Sequence, residues 1–139
     1  MICELIYECL PDTRLRPGDI FMPEFDVYGD AFFDISVISI CADSHYKRAS
    51  KGPFKGAEIR FHSKKMKYKD LKENFKPLVV ESTGGWHPFS LDYLTTVSEH
   101  IASRSARVAS DVLNELLADC SVRLQRYQGT MLVRRCLGR

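Results

Sequence analysis

The chain lacks any apolar run that approaches the roughly 20 residues needed to cross a bilayer. Its first ten residues carry glutamates where a signal peptide would carry basic residues. Both absences argue against a membrane-spanning or secreted protein. We therefore expect an intracellular protein without a membrane partner, with the nucleus as one candidate compartment.

Cysteine occurs in no pattern typical of a metal or redox site, because the five residues are far apart and form no CxxC pair. An odd number would leave one thiol unmatched, so free thiols in a reducing compartment are the plainer interpretation. Internal repeats and low-complexity tracts are also absent. With 139 residues, 45% of them hydrophobic and 27% charged, the sequence predicts a single domain over residues 1–139.

Runs of β-branched and aromatic residues predict four strands. They cover residues 2–10, 16–25, 31–40 and 75–82. The third run is apolar at nearly every position, which indicates a central strand covered on both faces. Gly29 lies in the short turn before it, where a glycine can adopt a positive φ.

Residues 57–74 contain strong helix formers and neither Gly nor Pro, which predicts a helix. Phe61, Lys64 and Tyr68 follow a three-or-four spacing along one face. One lysine is therefore expected on the face that meets the sheet.

The C-terminal half is predicted to be helical, beginning with a cap at Ser90 and continuing to residue 128. Gly129 is expected to interrupt this helical tail. The order of the elements predicts an α/β fold in which helices flank a central sheet, followed by a helical C-terminal tail.

Two aspartates, Asp19 and Asp34, stand at the edges of strand-like runs, where aspartate is depleted. Neighbouring carboxylates repel each other unless a cation offsets their charge, so their common use is to hold Mg²⁺ or Mn²⁺. A hairpin would bring the two within reach only in a suitable register. The alternatives are a Pro-Gly-Asp turn for Asp19 and a solvent-facing edge position for Asp34.

The blocks RPGDIFMPEF, GDAFFDISVIS, KKMKY and FKPLVVESTGGW resemble the successive blocks of restriction-endonuclease-like, PD-(D/E)XK-type nuclease modules of mobile-element proteins. The resemblance covers most of the chain. It implies a restriction-endonuclease-like mixed central sheet flanked by helices, here without the usual N-terminal helix. It also implies a hydrolase, an endodeoxyribonuclease that cleaves DNA phosphodiester bonds with Mg²⁺ (or Mn²⁺).

The same resemblance implies roles for individual residues. Asp19 and Asp34 correspond to the metal ligands, and Lys64 or Lys67 corresponds to the cationic residue. Ser36 stands where the family usually has its lysine, so the lysine would come from the following helix. Lys64 is favoured because it lies on the buried helical stripe.

Basic residues cluster between Lys47 and Lys76, around the proposed acids, which predicts contacts with a nucleic-acid backbone. The candidate nucleic-acid-binding residues are Lys47, Arg48, Lys51, Lys55, Lys65 and Tyr68. The alternative is a solvated basic surface. Glu81, at the end of the fourth strand, is a further candidate metal ligand.

Two other functions stay open at this point. Ser36 favours a noncatalytic nucleic-acid-binding domain with a degenerate nuclease fold, and the C-terminal helices suit a protein-interaction module. DNA is the expected partner. A homodimer, which double-strand cutting would need, and covalent attachment to other mobile-element domains in a longer protein are both open arrangements.

Overall fold

The computed structural model describes residues 18–39, 42, 46–47 and 50–137. The strands are β1, Ile20–Asp26; β2, Gly29–Ile38; and β3, Phe75–Glu81. The helices are α1, Lys55–Lys67; a 3-10 helix, Lys69–Asn74; α2, Pro88–Ser105; and α3, Ala109–Cys136. The strand predicted over residues 2–10 and the candidate residue Arg48 lie outside the described residues.

The three strands form one mixed sheet in the order β1-β2-β3. β1 and β2 pair antiparallel, and β2 and β3 pair parallel. A parallel connection needs a crossover, which α1 and the 3-10 helix provide. The fold is therefore mixed α/β, with helices flanking a three-stranded sheet and a long helix at the C-terminal end, and the central position of β2 is confirmed.

A two-residue turn joins β1 and β2, since Asp26 pairs with Gly29 across it. Gly29 has a φ of 95°, as the sequence predicts. The amide of Tyr28 donates to Oδ1 of Asp26 at 2.9 Å, which closes the turn. From this turn the ladder runs to the pair Ile20–Phe33, so the open end of the hairpin lies near Asp34.

Apolar side chains fill both faces of the sheet, because α1 packs on one face and α2 on the other. The cluster on the α2 side contains Phe25, Ala31, Phe33, Leu78 and Leu94. The cluster on the α1 side contains Ile38, Ala57, Phe61 and Val79. Trp86 is partly buried and packs against the first cluster.

The prediction that β2 is covered on both faces is correct for only part of the strand. Ile35 and Val37, which point away from α1, remain 48% and 50% exposed. They line an apolar cleft of about 310 Å³ together with Leu124 and Tyr127 of α3. The long helix therefore leaves a gap over this half of β2 instead of packing against it.

The prediction that Ser90 caps a helix is wrong. α2 begins at Pro88 with His87 at the N-cap, and a proline in the first turn loses no helical hydrogen bond. Ser90 is fully buried, and its hydroxyl donates to the carbonyl of Pro77 and accepts from the amide of Val79, both at 2.9 Å. It therefore satisfies backbone groups of β3.

Gly129 does not interrupt the C-terminal helix, contrary to the prediction, because α3 continues to Cys136. A single helical glycine costs only about 1 kcal/mol relative to alanine, which the surrounding turns can offset. The described thiols, Cys120 and Cys136, are free. No helix in the described ranges combines the length and the apolar character of a membrane span.

The helix predicted over residues 57–74 is broken near its end. α1 stops at Lys67, and the 3-10 helix that follows contains Lys72 at φ 48° and ψ −125°, outside the helical region. Glycine and proline are absent from this segment, so no local sequence signal marks the break.

Candidate active site

The register of the hairpin brings Asp19 to Asp34. Ile20, the residue after Asp19, pairs with Phe33, the residue before Asp34, so both aspartates lie just beyond the last pair of this ladder. The amide of Asp19 also donates to the carbonyl of Phe33 at 2.6 Å, one residue out of the register, so the regular pairing ends here. The carboxylate of Asp19 instead reaches the amide of Ile35, the residue that follows Asp34. The open end of the hairpin therefore holds two neighbouring carboxylates.

Asp34 lies on the face of β2 that α1 covers, and only 8% of the residue is exposed. Its Oδ2 accepts a hydrogen bond from the hydroxyl of Ser36 at 3.2 Å and lies 2.7 Å from Nζ of Lys64. A buried carboxylate needs such partners, because burial removes the water that would otherwise stabilise its charge.

Lys64 reaches Asp34 from α1, one turn after Phe61, whose ring belongs to the core on this side of the sheet. The expectation that one lysine of this helix faces the sheet is therefore confirmed. Both side chains of the ion pair are mostly buried. This positive charge offsets the repulsion that Asp34 would otherwise exert on Asp19.

Asp19 is exposed, and its Oδ2 accepts a hydrogen bond from the amide of Ile35 at 2.8 Å. The contacts that described residues make to both aspartates thus end on Oδ2, and none of them involves Oδ1. Within the described ranges, no group of three or more His, Cys, Asp or Glu side chains is arranged to hold a metal. Mg²⁺ commonly takes only one or two carboxylates from a protein and completes its shell with water and phosphate, so the donor chemistry of Asp19 and Asp34 is compatible with this ion.

Gly18 allows β1 to approach β2 beside this pair. A Cβ atom at position 18 would lie 2.5 Å from the carbonyl oxygen of Phe33, which belongs to the backbone and cannot rotate away. The glycine that directly precedes Asp19 therefore has a steric reason.

Replacing Gly18 with alanine should push the two strands apart at Asp19 and lower the free energy of unfolding by about 2 kcal/mol. Urea denaturation measures this change. Gly129→Ala is the matched control, because a Cβ there meets no atom within 4 Å and alanine is the better helix former. A Gly18→Ala variant as stable as the parent protein would contradict the steric explanation.

Lys67, the alternative cationic residue, is exposed, and its Nζ lies 5.0 Å from the centre of the Tyr68 ring. That ring packs in turn on Phe75, with ring centres 4.4 Å apart. Lys64, in contrast, contacts Asp34 directly. The geometry therefore favours Lys64 over Lys67 as the partner of the acids.

Glu81 lies far from the paired aspartates. It stands opposite Ile38, four strand positions beyond Asp34, which corresponds to about 13 Å along β2. Its Oε1 accepts a hydrogen bond from the amide of Ala57 at 3.2 Å, in the first turn of α1. A carboxylate at this position stabilises the start of the helix, and the structure does not bring it to Asp19 and Asp34.

The predicted nucleic-acid-binding residues divide into two groups. Lys47 and Lys51 are exposed, and Lys55 is exposed but paired with Glu58 at 2.6 Å. Lys65 instead turns inward, and its Nζ donates to the carbonyl of Phe75 at 2.8 Å. Burial lowers the pKa of Lys65, although the neighbouring carboxylate of Glu73 opposes that decrease.

Lys76 belongs to the interior and not to a basic surface, which corrects its place in the predicted cluster. Its side chain is 4% exposed, and its Nζ lies 2.5 Å from Oδ2 of Asp26. The rings of Phe25, Tyr28 and Tyr93 surround the ammonium group at 5.3 to 5.7 Å from their centres. A buried lysine of this kind cannot contact a nucleic acid.

Sequence reasoning missed the contact between Ser36 and Asp34, although their spacing in the sequence was a signal for it. Residues i and i+2 of a strand point to the same side, so Ser36 had to share a face with Asp34.

No protein-family model, curated protein or solved structure matches this chain. Function is therefore inferred from the geometry of the described residues.

Proposed function

We propose that the chain is a metal-dependent endonuclease that hydrolyses DNA phosphodiester bonds, of the PD-(D/E)XK type found in mobile-element proteins. The observation that carries the proposal is the ion pair between Lys64 and Asp34, 2.7 Å long, beside Asp19 at the open end of the hairpin. The hairpin, the crossover helix and the parallel third strand are compatible with a restriction-endonuclease-like fold.

Asp19 and Asp34 would hold the metal ion through their Oδ1 atoms. Mg²⁺ or Mn²⁺, when bound, would lower the pKa of a bound water and offset the charge of the scissile phosphate. The amide of Ile35 orients the carboxylate of Asp19, and the hydroxyl of Ser36 orients that of Asp34. This orientation matters because a carboxylate that is already held in place loses less conformational entropy when a metal ion binds to it.

Lys64 would stabilise the negative charge that accumulates on the phosphate during the reaction. Its ammonium group is mostly buried, and a charge in such a poorly hydrated position acts more strongly than one in water. The helix supplies the charge that the family usually takes from the strand, where this chain has Ser36.

A noncatalytic nucleic-acid-binding domain is the second candidate function. It is favoured because no group of three or more His, Cys, Asp or Glu side chains in the described ranges is arranged to hold a metal. Such a domain would keep the exposed lysines but would bind DNA without cutting it.

Incubation with supercoiled plasmid in Mg²⁺, Mn²⁺ or chelator tests the proposal. Nicking that requires a metal ion and stops with chelator is the expected result. DNA binding at low salt without nicking under either metal would overturn the endonuclease and leave the binding domain.

Substituting methionine for Lys64 should reduce the nicking rate about 10²-fold, because the charge beside the phosphate is lost while most of the side-chain volume is kept. The matched variant Lys67→Met should retain activity close to that of the parent protein, since Lys67 contacts Tyr68 and not the acids. Initial rates on plasmid measure both variants. The opposite ranking would identify Lys67 as the reacting lysine.

A further inference from the structure

A shallow cleft of about 400 Å³ opens between the 3-10 helix and the start of α2. Its lining combines three lysines with three aromatic rings. These residues are Lys65, Lys69, Lys72, Phe61, Phe89 and Tyr93. Glu73 is the one acidic side chain among the lining residues, so the cleft has an excess of positive charge.

Phe89 presents an apolar surface to the solvent at this cleft. It is 56% exposed although it stands in the first turn of α2. Its ring is supported from behind by those of Phe61 and His87, each with its centre 5.8 Å away. An aromatic ring that is held in place and open to solvent is a surface on which a nucleobase can stack.

Lys72 contributes a second observation, because its backbone is strained. Its φ of 48° and ψ of −125° lie in a region that glycine adopts readily and other residues rarely do. Folding alone would favour glycine at this position. The lysine at this position instead adds an exposed ammonium group to the lining of the cleft.

We propose that this cleft binds an unpaired nucleotide of a single-stranded nucleic acid. The base stacks on Phe89, and Lys69 and Lys72 contact the adjoining phosphates, in the combination of aromatic ring and basic groove that suits single strands. Duplex DNA cannot use this cleft in the same way, because its bases are stacked on one another.

The cleft and the paired aspartates flank the same end of α1. Lys64 points to Asp34, and its neighbour Lys65 points to the carbonyl of Phe75 on β3. A strand that lies in the cleft can therefore continue across this end of the helix towards the acids. That the bound strand is the substrate of those acids rests on the proposed function, whereas the binding itself does not.

Fluorescence anisotropy of a labelled oligo-dT 12-mer, in chelator and at low salt, measures the binding without any cleavage. Phe89→Ala should weaken binding of the oligomer about tenfold, which corresponds to the loss of one stacked base. The affinity of the Phe89→Ala variant for a duplex of equal length should be the same as that of the parent protein. Arg104→Ala, which removes a positive charge from the last turn of α2, is the control and should leave both affinities unchanged.

Lys72→Gly separates a role in binding from a role in folding. The variant should melt at a higher temperature, because the strain is relieved, and yet bind the oligomer about threefold more weakly, because one phosphate contact is lost. A higher melting temperature with unchanged affinity would assign the lysine no role in binding.

Two results would overturn the single-strand site. One is equal affinity of the parent protein and Phe89→Ala for oligo-dT. The other is displacement of the oligomer by polyglutamate at equal charge concentration, which would show a cleft that accepts any polyanion. Absence of metal-dependent nicking would instead overturn the endonuclease, so failures of the two proposals are distinguishable.

Discussion

Asp34→Asn should reduce the plasmid nicking rate at least about 10³-fold, equivalent to about 4 kcal/mol of transition-state stabilisation. The amide keeps the shape of the side chain but removes the charge that would bind a metal ion. Initial rates in saturating Mg²⁺ and Mn²⁺ measure the effect. DNA binding in chelator should persist, because the exposed lysines are unchanged.

Lys64 would lose its counter-charge in Asp34→Asn, so a folding control is required. The double variant Asp34→Asn with Lys64→Met removes both charges. Its free energy of unfolding should be close to that of the parent protein, while it remains inactive. If Asp34→Asn nicks DNA within tenfold of the parent rate, Asp34 is not a metal ligand in the reaction.

Asp26→Asn should lower the free energy of unfolding by about 3 kcal/mol. Its carboxylate is 25% exposed and pairs at 2.5 Å with Lys76, whose side chain is 4% exposed. Without this partner the ammonium group stays buried with no counter-charge, and losing one member of a buried pair typically costs about 3–5 kcal/mol. Urea denaturation at neutral pH measures the loss.

Two variants test whether the burial of Lys76 causes this effect. Asp26→Asn combined with Lys76→Met should recover most of the stability, because an apolar side chain suits the surrounding aromatic rings. Glu115→Gln, which breaks the exposed pair with Arg107, should leave the stability nearly unchanged. A loss below about 1 kcal/mol in Asp26→Asn would contradict the buried-pair explanation.

The pair between Asp26 and Lys76 should also make stability depend on pH in acid. Burial raises the pKa of Asp26, but the hydrogen bond and charge of Lys76 and the amide of Tyr28 outweigh it, and the net result is a lowered pKa. The carboxylate is therefore stabilising above its ordinary pKa of about 4, and this contribution is lost as pH falls through the lowered value. Below pH 4, the parent protein should lose stability more steeply than Asp26→Asn.

Several features of the fold were predictable because they depend on neighbours in sequence. Runs of β-branched and aromatic residues identified β1, β2 and β3, and the spacing of Phe61 and Lys64 set both on one face of α1. The errors came where a single residue was given too much weight or where contacts with distant segments decided the structure. Gly129 did not end α3, because one weak residue cannot stop a helix that its other turns support.

The candidate site was only half predictable. Sequence reasoning selected Asp19, Asp34 and Lys64, but it added Glu81 as a further candidate metal ligand and counted Lys76 in the basic cluster. The error about Glu81 concerns its position along the sheet, and the error about Lys76 concerns which elements cover its face of the sheet. Residue type does not reveal which end of a strand a carboxylate occupies or whether a neighbouring helix covers a lysine.

The sequence by itself determined the kinds of element, their order and which residues share a helix or strand face, since periodicity is a property of adjacent residues. Only the tertiary structure decided that the carboxylate of Asp19 reaches the amide next to Asp34, that Lys64 pairs with Asp34, and that the basic and aromatic cleft forms beside α2. The physical reason is register: a slip of one residue would turn Asp34 to the opposite face of the sheet. Register is set by contacts between segments distant in sequence.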